Sequence, residues 1–174
     1  CGALLVVDEA YAEFSPEASA VTLIKDQPNI LVVRTMSKAF AFAGARLGYL
    51  ISHPSVIDAM LVTRLPYHLS AITQAAAEVA LDHASTMQEG LSLLISERER
   101  VRAAIEQEGW QVFDSASNFL LFSGFPGLSA AVWRKFLDAG VLIRDVSLEG
   151  YLRVTIGSPD ENDRFISSMK QIAG

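Results

Sequence analysis

Two short apolar runs, each ending on polar side chains, constrain this chain more than anything else in it. Residues 3–7 are rich in leucine and valine and close on Asp8; residues 30–33 lead into Arg34, Thr35, Ser37 and Lys38. Short continuous apolar runs read as strands covered on both faces. Strands joined by short segments, with reactive groups at their C-terminal ends, are what an open α/β sheet places around a ligand crevice. The expectation is an α/β fold with a mainly parallel sheet and helices.

A lysine just after a buried strand is costly to desolvate unless its amine is used. Thr35 and Ser37 occupy alternate positions beside Lys38, and Arg46 follows a turn of small residues. Read singly, Lys38 is a surface lysine, Asp8 a strand-end turn residue and Tyr11 a core tyrosine. Read together, one amine, two hydroxyls and a guanidinium suit an aldehyde cofactor that carries a phosphate. The amine condenses with the aldehyde, while the hydroxyls and the arginine hold the phosphate.

A length of 174 residues allows one domain or two small ones, and 51% hydrophobic content supplies a globular core. The formal charge of −6 leaves no basic stripe for nucleic acid. Cys1 is the only cysteine, so neither a disulfide framework nor a cysteine-rich metal site is available. No His, Cys, Asp or Glu cluster has metal-ligand spacing, and no metal is expected. No apolar run approaches the roughly 20 residues of a membrane span, and no signal peptide is visible. A cytoplasmic location without membrane contact is the default. Because the chain starts on Cys1 and enters a strand at once, it is expected to be the C-terminal part of a longer protein.

Along the chain, residues 12–19 read as a loop and 21–25 as one or two helical turns. Residues 46–51 form a further strand, and Pro54 opens a helix to about residue 62. A long helical stretch covers about 71–108, with Gly90 as its candidate break and Gly109 as its end. The charged run 97–102 reads as a solvated helix face. Short strands follow at 110–113, 119–122, 141–143 and 151–156, with helices at about 128–139 and 160–173. The expected division is a partial large domain, 1–84, and a small α+β domain, 85–174.

The wording VDEAYAEF, followed by RTMSKAFAFAGARLGYL, resembles the fold-type I pyridoxal-phosphate aminotransferases, most closely the histidinol-phosphate branch. The resemblance runs from Ala3 to the C-terminus and implies the C-terminal part of that fold: some of the large domain plus the small domain. It implies pyridoxal 5'-phosphate as cofactor and transfer of an amino group between L-histidinol phosphate and 2-oxoglutarate, giving glutamate, in a homodimer. Lys38 is then the catalytic lysine, which binds the cofactor and moves a proton. Asp8 keeps the cofactor's ring nitrogen protonated, Tyr11 hydrogen-bonds its phenolate oxygen, and Thr35, Ser37 and Arg46 hold its phosphate. Arg144 and Arg153 become ligands of the substrate's anionic groups, with Asn118 near the pocket.

Three alternatives remain at this stage. One is an aromatic-amino-acid aminotransferase of the same branch, and another is an enzyme like threonine-phosphate decarboxylase. The third is a catalytically incomplete fragment or binding module, since the family places further cofactor contacts upstream of the position of Asp8.

Overall fold

The computed structural model describes residues 2–174. It divides into two compact units, Cys1–Glu89 and Gly90–Gly174.

The first unit is built on three strands, β1 (Leu5–Asp8), β2 (Ile30–Thr35) and β3 (Gly48–Ser52), in the order β1-β2-β3. β1 runs parallel to β2, with Leu5 opposite Ile30 and Asp8 opposite Val33. β3 returns antiparallel, pairing Thr35 with Gly48 and Leu31 with Ser52. The expectation of cover on both faces holds for the central strand alone. Ile30, Leu31 and Val32 are buried, whereas Leu5 and Val6 of β1 are 55% and 57% exposed. These two residues point to opposite faces of an edge strand, and Val7 is the β1 residue that packs on the buried cluster of Ile24, Ile30 and Val32.

Local chemistry accounts for the helices of this unit. A 3-10 turn at Ala20–Leu23 begins at Ser19, whose Oγ accepts from the Val21 N–H. Helix α1 (Pro54–Thr63) carries proline in its first turn, where a missing N–H costs nothing. Helix α2 (Ala71–Asp82) is capped by Ser70, and α3 (Ala84–Gln107) follows after His83. The helical stretch thus breaks at His83, while Gly90 stays inside α3. A lone helical glycine costs only about 1 kcal/mol, which the turns on either side of it absorb.

In the second unit, four antiparallel strands lie in the order β4-β5-β7-β6. They are β4 (Gln111–Val112), β5 (Phe119–Ser123), β6 (Arg144–Asp145) and β7 (Tyr151–Thr155). Alternation sets which face is which. Leu120, Phe122, Leu152 and Val154 are buried against α4 (Ser129–Asp138), α5 (Pro159–Ala173) and the second half of α3. Phe119, Leu121, Tyr151, Arg153 and Thr155 take the other face. Phe136 and Phe165 stack at 5.3 Å in the centre of the core. A capping box between Ser158 and Glu161 starts α5 where the sequence Ser-Pro-Asp-Glu predicts a helix start.

Two expectations fail in this unit. The apolar run 141–143 is not a strand. Ile143 is buried, and its carbonyl accepts from the Trp133 indole N–H at 2.9 Å, so the run packs on α4 and pairing starts only at Arg144. Nor is the charged run of α3 a solvated face. Glu97 and Arg98 are each only 8% exposed. Glu97 accepts from Arg100 and from the Asn162 amide, and Arg98 donates to the Ser117 carbonyl. Buried charges survive because each is paired.

Candidate active site

In the first unit the candidate residues gather where β1 and β2 end and β3 begins. Asp8 closes β1, Thr35 closes β2, and Arg46 lies just before Gly48, the residue paired with Thr35. The antiparallel turn of β3 brings Arg46 there, so it does not stand at the end of a parallel strand. Gly48 is required by close packing: a Cβ at that position would lie 2.9 Å from the Arg34 carbonyl.

Lys38 sits on a loop closed by backbone hydrogen bonds, from Phe42 N–H to Met36 O and from Ala41 N–H to Lys38 O, each 3.0 Å. Its Nζ lies 5.6 Å from the centroid of the Tyr11 ring. Among the described residues the amine makes no ion pair. The Thr35 hydroxyl donates to Leu47 O and accepts from Ser37 N–H, so it secures this loop from within. The Ser37 hydroxyl makes no hydrogen bond among the described residues. Arg46 adopts a left-handed conformation at φ 54°, uncommon for a residue with a side chain, and among the described residues its guanidinium reaches only Ala43 O.

Asp8 and Glu9 separate as neighbours in extended chain do. The Asp8 carboxylate is exposed and accepts one bond, from Ala10 N–H at 3.0 Å. Glu9 turns to the other side, where Ser19 Oγ, Ala20 N–H and Arg34 all donate to it. Burial raises the pKa of Glu9, but the bonds from Ser19, Arg34 and Ala20 outweigh it and leave the pKa below its ordinary value. Arg34 also reaches Glu13 at 3.7 Å. This cluster ties β1, β2 and the 3-10 turns together beside the candidate site. Nothing in the sequence pairs Arg34 with Glu9, because the contact arises only from the parallel register of β1 and β2.

The second unit carries a separate cleft of about 420 Å³ lined by Trp133, Leu142, Ile143, Arg144, Asp145, Arg153 and Thr155. Arg144 and Arg153 face each other as direct partners across β6 and β7. Neither makes an ion pair among the described residues. Arg153 Nε is buried without a hydrogen-bond partner, and its Cζ lies 4.6 Å from the centroid of the Phe119 ring. Two adjacent unpaired guanidiniums in an open cleft are an arrangement for binding anions. Asn118 enters this sheet through its backbone, its carbonyl accepting from Ile156 N–H at 2.9 Å. Trp133 was not among the residues that the sequence pointed to, and no motif marks it.

Comparison with known proteins shows the family and the fold. The family Aminotransferase class I and II matches residues 1–169, and the chain belongs to that family. It is 56% identical over 174 residues to the histidinol-phosphate aminotransferase of Mycolicibacterium smegmatis, covering 99% of this chain and 46% of that protein. The chain therefore spans about half the length of such relatives. The histidinol-phosphate aminotransferase of Clostridium acetobutylicum superposes with a TM-score of 0.89 at 24% identity, over 98% of this chain and 54% of that one. That of Sinorhizobium meliloti, solved in complex with pyridoxal-5'-phosphate, gives 0.83 at 29% identity, over 98% of this chain and 48% of that one. The fold is that of the C-terminal portion of a fold-type I aminotransferase.

Proposed function

We propose that the chain is the lysine-bearing part of a pyridoxal-phosphate-dependent enzyme that moves an amino group between L-histidinol phosphate and 2-oxoglutarate. The observation that carries the reading is the Lys38 amine, 5.6 Å from the Tyr11 ring and without an ion pair among the described residues, at the open ends of β1 and β2. The identity of 56% to a histidinol-phosphate aminotransferase supports the choice of substrate.

The residues present fit the cofactor. An unpaired amine stands beside a phenol, a carboxylate with one hydrogen bond closes the neighbouring strand, and an unengaged hydroxyl adjoins the amine. When bound, pyridoxal phosphate supplies an electron sink. Asp8 would accept a hydrogen bond from the cofactor's ring N–H and keep that nitrogen cationic. Tyr11 donates to the cofactor's phenolate oxygen. Ser37 and Arg46 hold the phosphate, and Thr35 holds the loop on which they act. Lys38 would hold the cofactor through its amine, and the same amine would move the proton at the substrate's α-carbon.

In the second unit Arg144 and Arg153 bind the substrate's phosphate or carboxylate, with Asn118 bordering them. We read residues 1–84 as the cofactor-binding part and 85–174 as the substrate-side domain of a cytoplasmic homodimer.

The test uses pyridoxal phosphate and borohydride. Reduction of the mixture should fix the cofactor's mass on the peptide containing Lys38, and Lys38→Ala should abolish that label. Label spread over several surface lysines would overturn the assignment. Comparing L-histidinol phosphate with aromatic amino acids as donors in the whole protein tests the substrate.

A further inference from the structure

Arg153 presents an unusual problem of placement. Its direct cross-strand partners are Leu121, which offers no charge, and another arginine, Arg144; like charges directly opposite each other repel. No carboxylate among the described residues pairs with it, and its Nε is buried without a partner. A long side chain in that position would wander unless something else held it. What holds it is the ring of Phe119, whose centroid lies 4.6 Å from Cζ. Phe119 stands opposite Thr155 on β7, which makes it the diagonal neighbour of Arg153.

The backbone that carries this ring is fixed. Ser115 Oγ donates to the Phe119 carbonyl at 2.6 Å, and Ser117 Oγ both bonds that carbonyl and accepts from the Phe119 N–H. Arg98, buried on α3, donates to the Ser117 carbonyl at 3.0 Å and ties this turn to the core. A cation held on an aromatic face keeps its charge, whereas one held by a carboxylate is neutralised. Among the described residues the two Nη atoms have no hydrogen-bond partner and, unlike Nε, are not buried.

We propose that Phe119 is the positioning residue for Arg153: its ring, carried on a backbone held by the Ser115–Ser117 turn, keeps the guanidinium ready for an oxyanion while leaving its charge intact. This rests on the reading of Arg153 as an anion ligand, and the experiment separates the two. Inorganic phosphate, and in a second series 2-oxoglutarate, is titrated into the 174-residue chain. Binding is followed by NMR at the arginine side-chain resonances, where stacking shows as an upfield shift of the Arg153 δ protons.

Phe119→Tyr keeps the ring face and should bind within about twofold of the unaltered chain, with the upfield shift retained. Phe119→Leu keeps apolar bulk but removes the face; it should lose the shift and weaken binding roughly tenfold. Phe119→Leu that binds as well as the unaltered chain, or keeps the shift, overturns the positioning role. Phosphate and 2-oxoglutarate binding that survives Arg153→Gln unchanged overturns the underlying reading instead. Thermal melts of all variants show whether the fold is intact, and Phe119→Met, which also lacks the ring face, carries the test with the same expected losses if the Leu variant unfolds.

Discussion

At the scale of single residues, the two halves of the chemistry are held by different means. Lys38 lies on a loop fixed by backbone bonds and by the Thr35 hydroxyl, with its amine left beside Tyr11. Arg46 reaches the same end of the sheet in a left-handed backbone conformation. Arg46→Ala should weaken retention of pyridoxal phosphate while Lys38 is still labelled on reduction, which equilibrium dialysis followed by borohydride trapping would show. In the other unit, Arg153→Ala in the whole protein should raise KM for both the phosphate-bearing donor and 2-oxoglutarate. Losing one partner of a charge-assisted contact costs roughly 2–5 kcal/mol. A rise confined to one substrate would assign the other to Arg144. Lys38, Asp8 and Arg46 were singled out by the motif wording, because these residues are close together in sequence with the strands that carry them. Glu9, Arg34 and Trp133 were not, since their partners are distant in sequence and chosen by strand register and helix packing.

At the scale of elements, the junction between β2 and β3 and the clamp between α3 and α5 are the sensitive points. Gly48→Ala would press a Cβ to 2.9 Å from the Arg34 carbonyl, where neither backbone can yield easily. A loss of about 1–3 kcal/mol is expected, read as a lower urea midpoint at unchanged slope. The clamp depends on Glu97, whose pKa is held below its ordinary 4.5 by the hydrogen bond from Arg100 first and by Asn162 second. A lowered pKa in the folded state means that the carboxylate is bound more strongly there than in the unfolded chain. Its stabilisation is present in full above about pH 4.5 and is lost as pH falls through the lowered value. Glu97→Gln should therefore be less stable than the unaltered chain at neutral pH. The gap should narrow below about pH 4.5 in acid titrations followed by circular dichroism.

At the scale of the whole molecule, apolar surface is distributed unevenly. The second unit closes its core around Phe122, Phe136 and Phe165, all nearly inaccessible. The first unit leaves Leu5 and Val6 open on an edge strand with one neighbour. Edge strands with uncovered apolar faces pair readily with other chains. The purified chain should accordingly associate as its concentration rises, and Leu5→Lys with Val6→Lys should suppress this in light scattering with little change in melting temperature. Suppression without the double change, or none with it, would place the contact elsewhere.

What the sequence determined by itself is the set of elements whose signals are local. Alternation set the buried face of β7, Ser-Pro-Asp-Glu set the start of α5, and the apolar runs that lead into Asp8 and into Arg34 and Thr35 marked one end of a sheet. Tertiary structure decided the rest. It chose the antiparallel return of β3 that delivers Arg46, the packing of 141–143 on α4, the burial of Glu97 and the pairing of Arg144 with Arg153. Each of these depends on which surface a segment meets. A residue's own neighbours in sequence carry little information about that, because register and packing partners are chosen by free energies summed over distant segments.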